Sequence, residues 1–111
     1  MFIKYDEYEL LELFTSEPAV INEKEAGVFL YTQEDTHGFK LSMYMSIYEY
    51  VCSISLNHKD LSKPIFDIGL NEVKCIKAKK DRLIIQQNGK EQDVIIYFKP
   101  NYALTFEKRE F

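Results

Sequence analysis

One run constrains this chain more than any other. From Phe39 to Tyr48 the residues alternate strictly. Phe39, Leu41, Met43, Met45 and Ile47 fall on one side of an extended chain, and Lys40, Ser42, Tyr44, Ser46 and Tyr48 fall on the other. Successive side chains of a strand leave opposite faces, so this period of two describes a strand with one buried and one wet face. A single strand has nowhere to bury that face. The rest of the chain must therefore supply partners of the same kind.

It does, from Gly27 onward. Val28 to Thr32 reads as a strand, followed by a loop at Glu34-Asp35-Thr36-His37-Gly38. Tyr50 to Leu56 follows, with Cys52, Ile54 and Leu56 inward and Ser53 and Ser55 outward. A polar loop spans His58 to Pro64. Ile65 to Leu70 and Val73 to Ala78 are weaker strands, and Lys74, Lys77, Lys79 and Lys80 mark an edge defended against pairing with other chains. Leu83-Ile84-Ile85 and Val94 to Phe98 are apolar at every position and predict strands covered on both faces. Asn88-Gly89 between them signals a hairpin. A two-residue turn would set Ile85 against Gln92. A loop from Asn88 to Glu91 sets Ile85 against Val94 and Ile84 against Ile95, and is preferred because register follows the apolar pattern. Pro100 ends that run, and Tyr102, Leu104 and Phe106 alternate in a last strand.

The N-terminal segment has a different period. Asp6 is placed as a helix N-cap, with Glu9 three residues on in the manner of a capping box. Glu7 and Glu9 lie where the helix dipole favours negative charge. Leu10, Leu11 and Phe14 share a face, with Tyr8 and Leu13 at its margins, and Pro18 is expected to end the helix by forcing Glu17 out of the α region. A helix over residues 6 to 15 is too short to persist alone and must lie on the sheet. The expected fold class is α+β and β-rich: one domain over residues 1 to 111. Its seven or eight antiparallel strands would form one curled sheet or two layers, with the short N-terminal helix plugging a face or an open end. No second helical segment is present to make a parallel crossover.

Charge is uneven along the chain. Residues 1 to 38 carry nine acids and two lysines, a net −7, and residues 39 to 111 carry nine acids and twelve bases, a net +3. An acidic third argues against nucleic-acid binding, which needs a basic face to displace counterions. It suits a basic protein partner, and equally a solvated helix face. No stretch approaches ~20 apolar residues, so no membrane span is expected. The first residues, Met1 to Glu7, do not read as an export signal. A cytoplasmic protein with Cys52 and Cys75 as reduced, packed thiols is the expectation.

The chemistry-bearing residues do not assemble into a catalytic or metal pattern. His37 and His58 fall in polar loops, the cysteines lack metal-ligand spacing, and the four glycines never cluster into a phosphate loop. Cys52 and His58 are the one local thiol–imidazole pair, but Cys52 points inward. Asp67, within Ile65 to Ile68, is placed on the wet side of its strand. No catalytic residue, metal or cofactor is expected. Tyr31, Tyr44 and Tyr48 remain. On neighbouring strands they would form an aromatic, serine-flanked outer surface, serving either a protein partner or cross-strand packing.

Several short strings add a resemblance. Tyr5-Asp6-Glu7-Tyr8-Glu9-Leu10-Leu11, Gly38-Phe39-Lys40-Leu41, Ser46-Ile47-Tyr48-Glu49 and Tyr97-Phe98-Lys99-Pro100 resemble, diffusely across most of the chain, the small immunity proteins of bacterial polymorphic-toxin and contact-dependent growth inhibition systems. The resemblance implies a cytoplasmic, non-enzymatic protein that binds a toxin domain, often a nuclease, and occludes its active site. It transfers no site residues. The residues nominated for partner contact are Glu7, Glu9, Glu12, Glu34 and Asp35, with Tyr44 and Tyr48. The partner would be a toxin domain with a basic surface, and the oligomeric state is left open. Two other functions fit a chain of this kind. One is a small-ligand site or enzyme in a cavity beneath the helix, using Asp67, Tyr44 or His58. The other is a structural homo-oligomer paired along a strand edge.

Overall fold

The computed structural model describes residues 2 to 109. It contains one α-helix, α1 (Glu7–Phe14), and nine strands: β1 (Ala19–Val20), β2 (Val28–Glu34), β3 (Phe39–Ser46), β4 (Val51–His58), β5 (Phe66–Leu70), β6 (Val73–Ala78), β7 (Arg82–Gln87), β8 (Gln92–Tyr97) and β9 (Ala103–Lys108). A single 3-10 turn spans Lys24–Ala26. Of the two expected arrangements, the chain takes the two-layered one. A five-stranded sheet runs β1-β2-β3-β4-β5 and a four-stranded sheet runs β6-β7-β8-β9, each joined in sequence order and antiparallel throughout. No described helix is long and apolar enough to cross a membrane.

The alternation in β3 decides the first sheet. Leu41, Met43 and Met45 are fully buried and pair with Leu56, Ile54 and Cys52 of β4. Lys40, Ser42 and Tyr44 stand on the outer face, opposite Asn57, Ser55 and Ser53. The strand ends at Ser46, two residues sooner than the alternation suggests. Residues 47 to 50 form the turn into β4, and Tyr50 takes φ +60°.

The second sheet keeps the expected hairpin. Ile85 faces Val94 and Ile84 faces Ile95, across a loop from Asn88 to Glu91. The expected covering of both faces needs a correction, because the outer cover comes from the sheet's own side chains. The outer row runs Lys77–Ile84–Ile95–Thr105. Ile95 is buried yet lies outside the central core. Beside it Tyr97 donates to Glu107 at 3.0 Å, Arg82 lies 5.9 Å over the Tyr97 ring, and Arg109 Nε donates to Asp93 at 2.9 Å. Long polar side chains thus screen two isoleucines that no helix needs to cover.

One core lies between the sheets, and α1 completes it. Asp6 caps the helix by accepting from the N–H groups of Tyr8 (2.9 Å) and Glu9 (3.3 Å), satisfying two amides that the first turn cannot. Its buried face is Leu10, Leu13 and Phe14. Leu11, expected inside, is partly exposed, and Tyr8 is 74% exposed. Phe14 stacks at 5.2 Å from Tyr31 of β2 and 5.1 Å from Phe98 after β8, so the helix ties the two sheets together. Pro18 does not end it. Thr15 already sits in the left-handed region at φ 59°, and its N–H donates to Leu11 O.

The segment before the helix also crosses between layers. Ile3 N–H donates to Ile47 O beyond the first sheet. Lys4 donates to Lys74 O and accepts from Ile76 N–H on the edge of the second. This is a single parallel bridge, Lys4 to Cys75, in a chain whose strands otherwise pair antiparallel. The lysine-rich β6 is an edge strand as its sequence suggests, but part of that edge is already occupied.

Candidate protein-binding surface

Each nominated residue follows from its element. Glu7 opens α1 and projects beside Tyr5 and Tyr8, and these three line two adjoining surface clefts. One, about 420 Å³, adds Phe2 and Asp6. The other, about 350 Å³, runs between α1 and the β1–β2 hairpin and includes Tyr31, Leu11, Val20 and Glu17. Tyr48 belongs to this neighbourhood. The Tyr5 phenol is raised above its usual range by burial first, then by the negative charge of Glu7 and the proximity of Tyr48. Burial, Tyr5 and Glu7, in that order, push Tyr31 up to about 12. A tyrosine-rich patch edged by Glu7 thus forms where the helix N-terminus meets the β2–β3 layer.

Gly27 makes room for that patch. It adopts φ +68°, and a Cβ there would lie 2.7 Å from Tyr48 Cε2 and 2.7 Å from Ile47 Cγ1. Only glycine combines this backbone with so close an approach of the Tyr48 ring.

The other nominated residues are dispersed. Glu9 and Glu12 line a cleft of about 430 Å³ together with Lys79, Lys80 and Lys99, so the helix acids on that side face the chain's own lysines. Glu34 lies 4.0 Å from Lys40 across the β2–β3 hairpin. Asp35 closes the turn itself, accepting from the N–H groups of His37 and Phe39 at 2.9 Å each. Tyr44 stands alone on the outer face of the first sheet, in the row Leu30–Tyr44–Ser53–Gly69. The expected three-tyrosine outer surface does not form. Tyr31 pairs with Met43 on the inner face and is 2% exposed. A run such as Val28-Phe29-Leu30-Tyr31 carries no polar alternation to say which residues turn inward.

The residues considered for a ligand site do not converge. Asp67 is exposed on β5 opposite Ser55, as expected. His58 is not the free loop residue its surroundings suggest. Its Nδ1 accepts from Asp60 N–H at 3.1 Å, its Nε2 lies 2.9 Å from His37 O, and its ring packs 4.6 Å from Phe39. An N–H donor at Nδ1 leaves the proton on Nε2, so both ring nitrogens are engaged. Cys52 is fully buried, and burial raises its thiol to about 12, which suits a packing residue rather than a nucleophile. Both cysteines are free thiols. Beneath the helix, Leu10, Leu13 and Phe14 fill the space where a ligand cavity was considered.

Sequence reasoning missed Tyr5 and Tyr8. The available signal was their spacing around Glu7, which places both near the start of a helix whose opposite side is apolar.

No protein-family model matches the sequence, and none of the curated proteins does. A solved structure does match. It is a chain of the "Contact-dependent growth inhibition toxin - immunity protein complex from Klebsiella pneumoniae 342", at TM-score 0.79 and 23% identity, covering 98% of this chain and 100% of that one. The two chains share a fold. The likeness extends over nearly the whole of this chain.

Proposed function

We propose that this protein is an immunity protein: it binds a toxin domain and blocks its active site without performing chemistry of its own. The observation that carries this reading is the full-length fold match to one member of a toxin–immunity pair. Two features of the chain support it. The first 38 residues hold a net −7, which suits a partner with a basic face. The patch around Tyr5, Tyr8, Glu7 and Tyr48 offers exposed aromatic area, which interface centres favour, beside negative charge that can steer a basic partner.

A nuclease is the toxin class that fits this charge best. Its substrate groove holds phosphates with Lys and Arg, and an acidic inhibitor meets that groove with complementary potential. Binding would take place in the cytoplasm, where a nuclease would find its substrate.

A growth assay in a bacterial host tests the reading. The product of the gene neighbouring this one, once identified, is expressed under tight control as the candidate toxin, with and without this chain. The toxin alone should arrest growth, this chain alone should leave growth unchanged, and the pair should restore it. Growth arrest by this chain alone would reverse the roles. Persistent arrest with both present, at equal expression, would refute inhibition.

A further inference from the structure

We propose that the cleft between α1 and the β1–β2 hairpin receives an arginine side chain presented by the bound protein partner, an inference that rests on the protein-binding reading above. Three observations define the occupant. The walls are aromatic, with Tyr5, Tyr8 and Phe29 around a space of about 350 Å³, and π-faces attract a flat cation. Glu7 and Glu17 line the same cleft against one lysine, Lys24, so the charged groups favour a cation over an anion. Two amides of the helix N-terminus, those of Tyr8 and Glu9, which would otherwise draw an anion, already donate to the Asp6 carboxylate.

The shape favours arginine over lysine. A guanidinium can lie flat on a tyrosine ring while its edge donates to carboxylates, whereas an ammonium is a strongly hydrated point charge. The apolar stem would rest on Leu11 and Val20, which are 37% and 47% exposed and have no other described role. A purely apolar side chain would leave Glu7 and Glu17 desolvated and unpaired.

The test needs no toxin, so its failure is distinct from failure of the immunity reading. The probe is the capped tripeptide Gly-Arg-Gly, titrated at millimolar concentrations into the full chain and followed by NMR at the Tyr5 and Tyr8 rings and the Leu11 methyls. Gly-citrulline-Gly, the uncharged near-isostere, is the comparison. The arginine peptide should give saturable shifts at those three residues and the citrulline peptide should not. The E7Q/E17Q variant, checked for folding by circular dichroism, should bind about three- to tenfold more weakly, as expected for losing two partly exposed charge pairs. Y8A, at a 74% exposed position, should also weaken binding without unfolding the chain. Absence of saturable shifts, equal shifts from the citrulline peptide, or shifts confined to other residues would overturn the assignment.

Discussion

The Tyr102 hydroxyl donates to Gln33 Oε1 at 2.6 Å, while Gln33 Nε2 donates to Leu13 O at 3.0 Å. One amide thus links three parts of the fold: the connection between β8 and β9, strand β2, and the last turn of α1. Each partner belongs to a different layer or element, so this link fixes how the helix seats between the sheets. Replacing Gln33 with leucine leaves a helix carbonyl and a phenol without partners and should cost about 1–3 kcal/mol. Tyr102→Phe, which removes one bond and keeps the ring against Phe98 at 5.6 Å, should cost roughly 1 kcal/mol. Urea unfolding of both variants measures the difference. Equal stability for all three proteins would show that the link is dispensable.

Gly27 and Tyr48 should behave as a coupled pair. Gly27→Ala forces a Cβ into the left-handed region, about 1–2 kcal/mol, and adds a clash with the Tyr48 ring. In the Tyr48→Ala background the clash with the ring disappears and only the backbone cost and the Ile47 contact remain. The double mutant should therefore be more stable than the sum of the single effects implies, by about 0.5 kcal/mol or more, as for residues in direct contact. Additive behaviour would mean the ring moves aside freely.

Three groups predict the alkaline limit of the fold. Burial raises the Cys52 thiol from 9.0 to about 12. It also raises the Tyr31 and Tyr102 phenols from 10.0 to about 12, with nearby Asp35 adding to the effect at Tyr102. Each group stays protonated in the folded protein at a pH where the unfolded chain has already lost that proton. Unfolding is then favoured as pH rises. These groups should not affect stability below about pH 9. Stability should fall first through Cys52, then more steeply above pH 10 as the tyrosines join, and level off near pH 12. Cys52, being fully buried, can contribute up to about 1.4 kcal/mol per pH unit. Urea midpoints across this range should therefore drop between pH 9 and 10 in the native protein, and by less in Cys52→Ala.

The acids on the two sides of α1, with Glu17 just beyond its end, should differ in how they steer a partner. Glu9 and Glu12 share a cleft with Lys79, Lys80 and Lys99, which offset part of their field. Glu7 and Glu17 lie in the cleft with Tyr5 and Tyr8 against one lysine. Reversing Glu7 and Glu17 to lysine should slow association with the toxin more than reversing Glu9 and Glu12. For the native protein the on-rate should fall as salt rises, since the screening length shrinks from ~30 Å at 0.01 M to ~8 Å at 0.15 M. Stopped-flow association rates decide it, and identical rates for both charge reversals would remove the distinction.

The parts legible in the sequence are those where polarity alternates or turn chemistry is local. Phe39 to Met45, Cys52 to Leu56 and the Asn88–Glu91 hairpin gave faces and register directly, because a shift of one residue would have turned every buried side chain to water. Ser46, expected on the wet face, is instead buried where the strand turns, its hydroxyl donating to Glu49 at 3.0 Å. Where polarity is uniform, the pattern is silent. Tyr31 could face either way until pairing with Met43 set it inward. The rotation of α1, which buries Leu13 and leaves Leu11 at the surface, depends on β2 and β6 rather than on the helix itself. Strand β1 has two residues, too few to carry a period. The acids looked like one surface because they are close in sequence, but the turn at Asp35 and the lysines beside Glu9 and Glu12 give them separate local tasks.

The central claim is that this chain neutralises a toxin by direct, stoichiometric binding. The most direct measurement is calorimetric titration of the purified protein into the candidate toxin domain found in its gene neighbourhood, with toxin activity assayed at each ratio. The account requires one binding event with a molar ratio near one, at sub-micromolar affinity, and loss of activity that tracks occupancy. Absence of binding heat at several temperatures, with activity undiminished at excess protein, would contradict it.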